Sequence, residues 1–600
     1  MAELKDRKDM DPAYTWDLSS LYRDDQAWEK DFAALDAAAA KVTAYRGKLK
    51  DAAAIRGLFD AETDLMRKVS NIYSYAARRH DEDTAADDAM ALVAKAAAKY
   101  AEISAEVSFA EPEILSLPEE TLRAVTKDPL LAPYKFTMQK ILKQKPHVLS
   151  AENEQLLASL GEVLSNPAMT ASALQDTDLK FDSVRDSRGN EVSVSESNYI
   201  LLQQSQDRTL RENSFRSFYK GYREHINTFA STYSGAVKGA VAEAKARHYH
   251  SSRAMEMAEE NIPEEVYDNL VSAVRRHLPS MYRYVALRKK ILGISDLHYY
   301  DVYAPLTKGI DHTWTYGEAQ KLVLEALAPL GKEYTDTVRK AFASRWIDVY
   351  PNKNKAGGAY SAGTYDSIPM ILTNFTGDYS SVSTIAHEMG HSMHSWRSNN
   401  AQPPQYADYT LFVAEVASTV NENLLAEDLL KKTQDPAERL FLLNQYLDGF
   451  KGTVYRQTMF AEFEQQAHRL AEQGGALTPA ALNGIYAKLV QDYFGPELVM
   501  DDEVQYEWAR IPHFYRPFYV YKYATSYSAA VAIEEKILKE GDAAVKPYLE
   551  FLSMGGSDYP LDELAHAGVD MRTPEPIDLA LQKFDRILDE AEKLADEIGG

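Results

Sequence analysis

Hydrophobic side chains recur at helical spacing along most of this chain. Residues 25–108 are rich in Ala, carry Leu, Ile and Val three or four positions apart and contain few Gly or Pro, so several long helices are predicted there. The same pattern returns at 207–294 and 410–492, and a charged amphipathic helix is predicted at 577–598. Prolines between 112 and 133 predict shorter segments. A mainly α fold follows.

Two stretches interrupt the helical pattern. Residues 180–184 and 191–194 flank a turn that contains Gly189, which predicts a β-hairpin. Residues 357–377 are rich in Gly, Tyr, Thr and β-branched residues and predict two short strands or an extended edge segment, with Pro369 compatible only with an edge position. We therefore expect a large multi-helix body with a small β-sheet beside the helix that follows this segment.

The sequence contains no repeat, no low-complexity tract and no linker long enough to separate independent domains. We divide it into an N-terminal helical region, residues 1–195, which includes the hairpin, and a region 196–600 that carries the candidate chemistry.

Composition narrows the range of functions. The net charge is −24, which argues against nucleic-acid binding because phosphate contacts need an excess of Lys and Arg. The absence of cysteine excludes disulfides, thiolate ligands and a cysteine nucleophile, so any metal must be held by His and carboxylates. The N-terminus lacks a signal-peptide pattern and no stretch approaches 18 apolar residues, so we expect a cytoplasmic protein without membrane association.

The candidate chemistry begins with the H-E-x-x-H motif formed by His387, Glu388 and His391 in a predicted helix. Histidines at i and i+4 lie on one face and can bind one zinc ion, while the glutamate beside them can take a proton from metal-bound water. The motif predicts a hydrolase. Gly390 costs about 1 kcal/mol in a helix interior, which suggests that another element packs closely against it.

Catalytic zinc usually takes a third side chain. His394 is a poor candidate because it stands seven residues after His387, about 10 Å further along the helix axis. Glu415 is better: it lies in the apolar stretch Leu411–Thr419, where an unpaired carboxylate would cost several kcal/mol. A buried salt bridge is the alternative for Glu415. Glu422 can orient a ligand histidine or be a solvated acid.

The segment before the histidine motif can contribute to substrate binding. An edge strand beside a peptidase site can pair with an extended peptide, and Tyr360 and Tyr365 in this segment are candidate substrate contacts. An ordinary small sheet without such a role is the alternative.

Three stretches together resemble a known family: H-E-M-G-H-S-M-H-S from His387, F-V-A-E-V-A-S from Phe412, and H-F-Y-R-P-F-Y-V-Y-K-Y-A-T-S from His513. They are similar to oligoendopeptidase F, in the thimet oligopeptidase-like family of zinc metallopeptidases. This resemblance implies a largely helical fold with a deep channel that closes around short unstructured peptides. It also implies one zinc ion per chain, bound by His387, His391 and Glu415, with Glu388 as the catalytic carboxylate.

In the family that this chain resembles, a C-terminal histidine and tyrosines face the metal. By spacing, Tyr519, Tyr523 and Tyr527 form a stripe typical of core packing. Tyr521 points away from that stripe and is our candidate to face the cavity, with Tyr515 second. His513 precedes the predicted helix and is expected in a loop over the site. Tyr515 and Tyr519 are further candidate substrate contacts, and Arg516 could bind a substrate carboxylate or be solvated.

The H-E-x-x-H motif predicts a zinc-dependent hydrolase, and the family resemblance implies that it is an endopeptidase acting on oligopeptides. Glu388 acts as general base, and His513 and Tyr521 stabilise the oxyanion. One rival is a zinc carboxypeptidase or dipeptidase that recognises a free C-terminus, with Arg516 as the candidate contact. Another is a peptide-binding or chaperone-like protein with an inactive zinc site.

Overall fold

The computed structural model describes residues 4–307 and 312–599 of the chain. These residues form two compact units, each assembled from three separate parts of the sequence. Unit 1 lies within Met1–Ala151, His312–Asp428 and Ile533–Gly568, and unit 2 lies within Glu152–Asp311, Leu429–Ala532 and Val569–Gly600. The predicted boundary after residue 195 falls inside the sequence range of unit 2, and its value as a boundary between regions stays a prediction.

Helices dominate both units, as the hydrophobic periodicity predicts. In chain order they are α1 (Asp25–Phe32), α2 (Leu35–Thr43), α3 (Ala52–Glu82), α4 (Asp87–Val107), α5 (Ala110–Leu115), α6 (Glu119–Thr126), α7 (Lys135–Gln144), α8 (Ala151–Ala173), α9 (Tyr199–Gln203), α10 (Arg208–Glu224), α11 (Ile226–Ala246), α12 (Ser252–Ala258), α13 (Glu264–Arg276), α14 (Leu278–Leu292), α15 (Tyr316–Ala326), α16 (Lys332–Ala343), α17 (Tyr379–Ala401), α18 (Leu411–Lys432), α19 (Pro436–Phe450), α20 (Arg456–Glu472), α21 (Pro479–Phe494), α22 (Tyr521–Glu540), α23 (Asp542–Phe551), α24 (Pro560–His566) and α25 (Glu575–Gly599). No helix among the described residues is both long and apolar enough to cross a membrane.

Short 3-10 or π-helical turns connect several of the elements, and the described residues also form seven short strands. They are β1 (Val184–Arg185), β2 (Glu191–Val192), β3 (Leu297–His298), β4 (Ile347–Asp348), β5 (Tyr360–Ala362), β6 (Met370–Leu372) and β7 (Leu498–Val499). β1 and β2 pair antiparallel with Val184 opposite Val192, which confirms the predicted hairpin. β3 pairs parallel with β7.

The remaining three strands form one sheet in the order β4-β6-β5. β6 pairs parallel with β4 and antiparallel with β5, so the two strands predicted within 357–377 are confirmed. Pro369 lies immediately before β6, which is the central strand. The expectation that this proline marks an edge strand was therefore wrong: it precedes the strand and removes no hydrogen bond from the ladder.

Each unit has its own core. In unit 1, Trp28 is fully buried and its indole N–H donates to Ile72 O at 2.9 Å. In unit 2, the fully buried Glu507 accepts hydrogen bonds from Tyr299 and Tyr486, both at 2.6 Å, and pairs with Arg456 at 2.8 Å. Pairing of this kind is what makes a buried carboxylate tolerable.

Candidate metal centre

Helix α17 carries both motif histidines. Its N-terminus is capped by Asp378, whose carboxylate accepts the Ser381 N–H at 2.8 Å. The helix then runs without interruption through His387 and His391 to Ala401. The four-residue spacing therefore becomes one shared helical face, as the sequence predicts.

Helix α18 packs against α17 at Gly390. A Cβ atom at Gly390 would lie 2.5 Å from both Ala417 O and Ser418 Cα, a distance that real Cβ atoms do not tolerate. The glycine is therefore required by the close approach of the two helices, which confirms the packing predicted from it. Because α18 comes this near, Glu415 can reach the histidines from a helix of its own.

Three side-chain atoms converge at this point. His387 Nε2 and His391 Nε2 are 3.2 Å apart, and Glu415 Oε2 lies 3.4 Å from each. Donor atoms about 2.1 Å from one ion in tetrahedral arrangement are about 3.4 Å from one another. This trio is the one cluster of three or more metal-ligating His or carboxylate side chains among the described residues. The donor set therefore fits a divalent metal ion.

Glu422 contacts the other ring nitrogen of His387. Its Oε2 lies 3.0 Å from His387 Nδ1, and its Oε1 accepts a hydrogen bond from Ser383 Oγ at 3.1 Å. The contact with His387 agrees with the prediction that Glu422 orients a ligand histidine, and not with the alternative of a solvated acid. Burial lowers the pKa of His387, but hydrogen bonds to Glu415 and Glu422 outweigh it and raise the pKa to about 10. An imidazole must lose that proton to bind a metal, so metal binding at this site would release protons.

Glu388 is buried beside the trio, with 6% of its surface exposed. Its Oε2 has no hydrogen-bond partner within residues 4–307 and 312–599. Burial raises the pKa of the Glu388 carboxyl, and the neighbouring imidazoles of His387 and His391 offset part of this rise. A carboxyl group with a raised pKa and an unsatisfied oxygen is suited to proton transfer.

His394 is not part of the cluster. Its ring stacks on Tyr409 at 3.7 Å with the planes 1° apart, and it is 1% exposed. Burial lowers the pKa of His394 to about 3. The prediction that His394 is not a ligand is confirmed: it is a neutral core histidine.

Strand β5 packs on the motif helix, where Ser361 Oγ lies 2.8 Å from Ser392 Oγ. The two candidate tyrosines of this segment are already engaged in the fold. Tyr360 accepts from Arg78 Nε at 3.0 Å and donates to Asp81, and Tyr365 donates to Gln402 O at 3.2 Å. The hydroxyl protons of both tyrosines are therefore already used in hydrogen bonds within unit 1.

The C-terminal aromatic block belongs to unit 2. Tyr521 is fully buried, and its ring lies 5.1 Å from that of Tyr267. This does not fit the expectation that Tyr521 faces a cavity. Helix α22 begins at Tyr521, whose side chain faces the core. Tyr523 and Tyr527 lie on another side of the helix, which is partly exposed. The stripe predicted to be core is the more accessible one.

His513, Tyr519 and Tyr523 form a group, which we call the aromatic cluster. His513 is exposed and the two tyrosines are half-buried. Tyr523 Oη lies 3.4 Å from Tyr519 Oη and 3.5 Å from His513 Nε2. Burial, and then the charge of Arg516, lower the pKa of His513, so its imidazole is neutral at pH 7. Arg516 itself stacks on Tyr519 at 4.2 Å from the ring centre.

Tyr515 lies outside that cluster, since its hydroxyl is 2.7 Å from Thr232 Oγ1.

Sequence reasoning missed Tyr523 as an accessible residue, and it missed Glu464. Glu464 is fully buried and its Oε1 accepts the Phe518 N–H at 2.7 Å. Phe518 has φ +52°, a left-handed conformation that is unusual for a bulky residue. Glu464 follows Phe463 in the sequence Phe460-Ala-Glu-Phe-Glu-Gln-Gln. Because another acid and two glutamines stand beside it, the sequence carries no signal like the apolar run around Glu415.

Comparisons with known proteins agree over most of the chain. Residues 201–583 match the family described as peptidase family M3, and residues 113–181 match the one described as oligopeptidase F. The chain is 44% identical over 596 residues to oligopeptidase PepF of Bacillus subtilis (strain 168), covering 99% of this chain and 89% of the relative. It is 40% identical to Group B oligopeptidase PepB of Streptococcus agalactiae serotype III, covering 98% of both chains.

Two crystal structures extend the comparison to the fold. Oligoendopeptidase-F from Enterococcus faecium has a TM-score of 0.75 and 37% identity, covering 96% of this chain and 99% of that chain. A structure from Chlamydophila abortus has a TM-score of 0.93 and 36% identity, covering 99% and 100%. The likenesses are therefore not confined to the histidine motif.

Proposed function

The chain belongs to peptidase family M3, and from this premise we propose that His387, His391 and Glu415 hold one zinc ion with which it hydrolyses internal bonds of short, unstructured oligopeptides. The family identifies the chain as a metalloendopeptidase that cleaves oligopeptides. The resemblance to oligoendopeptidase F, predicted from three motifs, is thereby confirmed. Zinc as the metal, the roles of individual residues and the limit on substrate size are the proposed part.

The convergence of the three donor atoms carries the proposal. Two imidazoles and one carboxylate are a ligand set of catalytic zinc in peptidases, and the trio has the matching spacing of 3.2 and 3.4 Å. When bound, zinc polarises the scissile carbonyl and lowers the pKa of its water towards about 7.

Glu388 is the general base in this proposal. Its buried Oε2 lacks a partner in the described part of the chain, so it can accept a proton from the attacking water without first breaking another hydrogen bond. It then passes the proton to the leaving amine. The raised pKa of its carboxyl brings the group closer to working pH, where both transfers are efficient.

His513 and Tyr523 are the proposed donors to the oxyanion. A neutral imidazole and a phenol can each donate one hydrogen bond, and both side chains are accessible within unit 2. Tyr523 replaces Tyr521 in this role because Tyr521 is enclosed by the core. Removing one such donor typically costs 10²–10³ in rate.

The Glu388→Gln variant tests the proposal. We expect it to bind zinc stoichiometrically, measured by mass spectrometry of the metal, and to lose at least about a thousandfold in kcat/KM because the amide cannot accept the proton. Glu120→Gln, an exposed acid in α6, is the matched control. Near-normal cleavage by zinc-loaded Glu388→Gln would contradict the assigned role.

Peptides blocked at both ends test the bond that is cleaved. We expect cleavage of these peptides, detected by mass spectrometry of the products, because an endopeptidase needs no free terminus. An enzyme that requires a free C-terminal carboxylate would leave them intact. Arg516, the candidate carboxylate contact of the rival exopeptidase, is stacked on Tyr519.

A further inference from the structure

Unit 1 contains a cavity of about 250 Å³ next to the motif helix. The helix contributes Ser395 and Asn399, and the chain that follows strand β5 contributes residues 362–364. Asp408 and the residues beside it, in the connection between α17 and α18, line another part of the wall. None of the groups assigned above to metal binding or catalysis lines this cavity.

The cavity continues the helix face on which the proposed general base stands. Glu388, Ser392, Ser395 and Asn399 are spaced at i, i+4, i+7 and i+11, which places them in one row along α17. Strand β5 packs over this row through the contact between Ser361 and Ser392. Ser395 is about 6 Å along the axis from His391. An extended peptide advances about 3.3 Å per residue, so the cavity is within about three residues of a bond attacked at the metal.

The walls suit a long side chain with a polar end. Gly363, Pro369 and Ala407 contribute little side-chain bulk to the lining, which leaves room for an aliphatic stem. Asn399 is already oriented, since its amide donates to Thr364 O at 3.1 Å. Lys and Arg bury such stems while their charged heads find polar partners.

Asp408 supplies the matching charge. The Asp408 residue is exposed to solvent. Partial desolvation by neighbouring groups raises the pKa of its carboxyl. Asp408 forms part of the wall of this recess, and no ion pair or hydrogen bond to its carboxylate is present among the described residues. A cation entering the recess would relieve the desolvation of the carboxylate and form a charge-assisted hydrogen bond.

We infer that this cavity is a substrate subsite that selects a basic side chain, Lys or Arg, through Asp408. The inference rests on the proposed function, because it assumes that the peptide runs along β5 and the motif helix. The preferred substrates would then be peptides that carry Lys or Arg at one fixed distance from the cleaved bond.

A peptide series tests the subsite. Arg is placed in turn at each of three positions on either side of the cleaved bond, and the matched peptide carries citrulline, which has the same shape without the charge. We expect kcat/KM to be about tenfold higher for Arg at one position, equivalent to 1.4 kcal/mol, and equal at the others. Equal rates at every position would overturn the inference.

Variants assign the preference to Asp408. Asp408→Asn should bring the Arg and citrulline peptides to the same kcat/KM, and Asp408→Lys should favour Glu over Gln at the same position. Asp64→Asn makes the same charge change at an exposed position of α3 outside the cavity, and should leave the Arg preference intact. A preference that survives in Asp408→Asn would also overturn the inference.

Binding to zinc-loaded Glu388→Gln separates this inference from the proposed function. Calorimetry should show tighter binding of the Arg peptide than of the citrulline peptide, and Asp408→Asn in the same background should remove the difference. Metal-dependent cleavage without any Arg preference refutes the subsite alone. Cleavage that persists after chelation refutes the proposed function instead.

Discussion

The metal centre and the aromatic cluster are built in opposite ways. The proposed metal ligands stand on two uninterrupted helices that touch at Gly390, so their positions are fixed by packing over many residues. The aromatic cluster stands on a 3-10 turn, a left-handed residue and the first turn of α22, and its hydroxyl contacts are 3.4 and 3.5 Å long. The metal site should therefore tolerate a single local substitution without losing its backbone geometry, whereas the geometry of the aromatic cluster depends on single contacts.

The largest loss of activity is expected from removal of a proposed metal ligand. Glu415→Ala removes one of three ligands but leaves α17 and α18 in contact. We expect zinc affinity to fall by well over a hundredfold, and peptide cleavage to be lost. Removal of a residue that only orients a ligand typically lowers metal affinity by up to about 100-fold. Metal content after dialysis and kcat/KM are the measurements. Full zinc occupancy in this variant would refute Glu415 as a ligand.

A smaller effect is expected in the aromatic cluster. Tyr523→Phe should lower kcat by about 10²–10³ if its hydroxyl donates to the oxyanion. Tyr521→Phe should change kcat only a few-fold, because Tyr521 is enclosed by the core of unit 2. Zinc content should be normal in both variants. The reverse ranking of the two variants would restore Tyr521 as the donor.

The smallest effect is expected at the hydrogen bond from the Phe518 N–H to Glu464, which holds the segment between His513 and α22. Burial raises the pKa of the Glu464 carboxyl well above its usual range, which favours the neutral form. Gln is a close mimic of that form and can still accept the Phe518 N–H. Glu464→Leu leaves that N–H buried and unpaired, at a cost of about 1–3 kcal/mol. We expect Glu464→Leu to lower the unfolding temperature and to lower kcat about tenfold with little change in KM.

Glu464→Gln should behave as the unchanged protein in both measurements. Equal kcat for the Leu and Gln variants would show that the contact does not position the aromatic cluster.

The same contrast explains what the sequence could predict. The helices follow from hydrophobic periodicity, and the i, i+4 spacing of His387 and His391 holds because α17 is regular. Glu415 stood out because an acid in an apolar run needs a partner, and its partners are the two histidines. These inferences use local geometry that the fold leaves intact.

The errors arose where local geometry changes or where distant segments decide burial. Spacing placed Tyr519, Tyr523 and Tyr527 on one stripe, but the side that faces the core is set by Tyr267, which is more than two hundred residues away. The assembly of both units from interleaved segments depends on contacts of the same long range. Hydrophobic periodicity along the chain predicts neither which side of α22 faces the core nor which segments assemble into one unit.

The close approach at Gly390 couples ligand binding to folding. His387 and His391 come from one helix and Glu415 from another, so the complete ligand set exists only after α17 and α18 have docked. A metal ion bound by the three proposed ligands would therefore link α17 to α18 within unit 1. At a free concentration of 100 times its dissociation constant, it would add about 2.7 kcal/mol to the stability of the folded state. Removal of the metal would then lower the stability of the folded state as well as the rate of peptide cleavage.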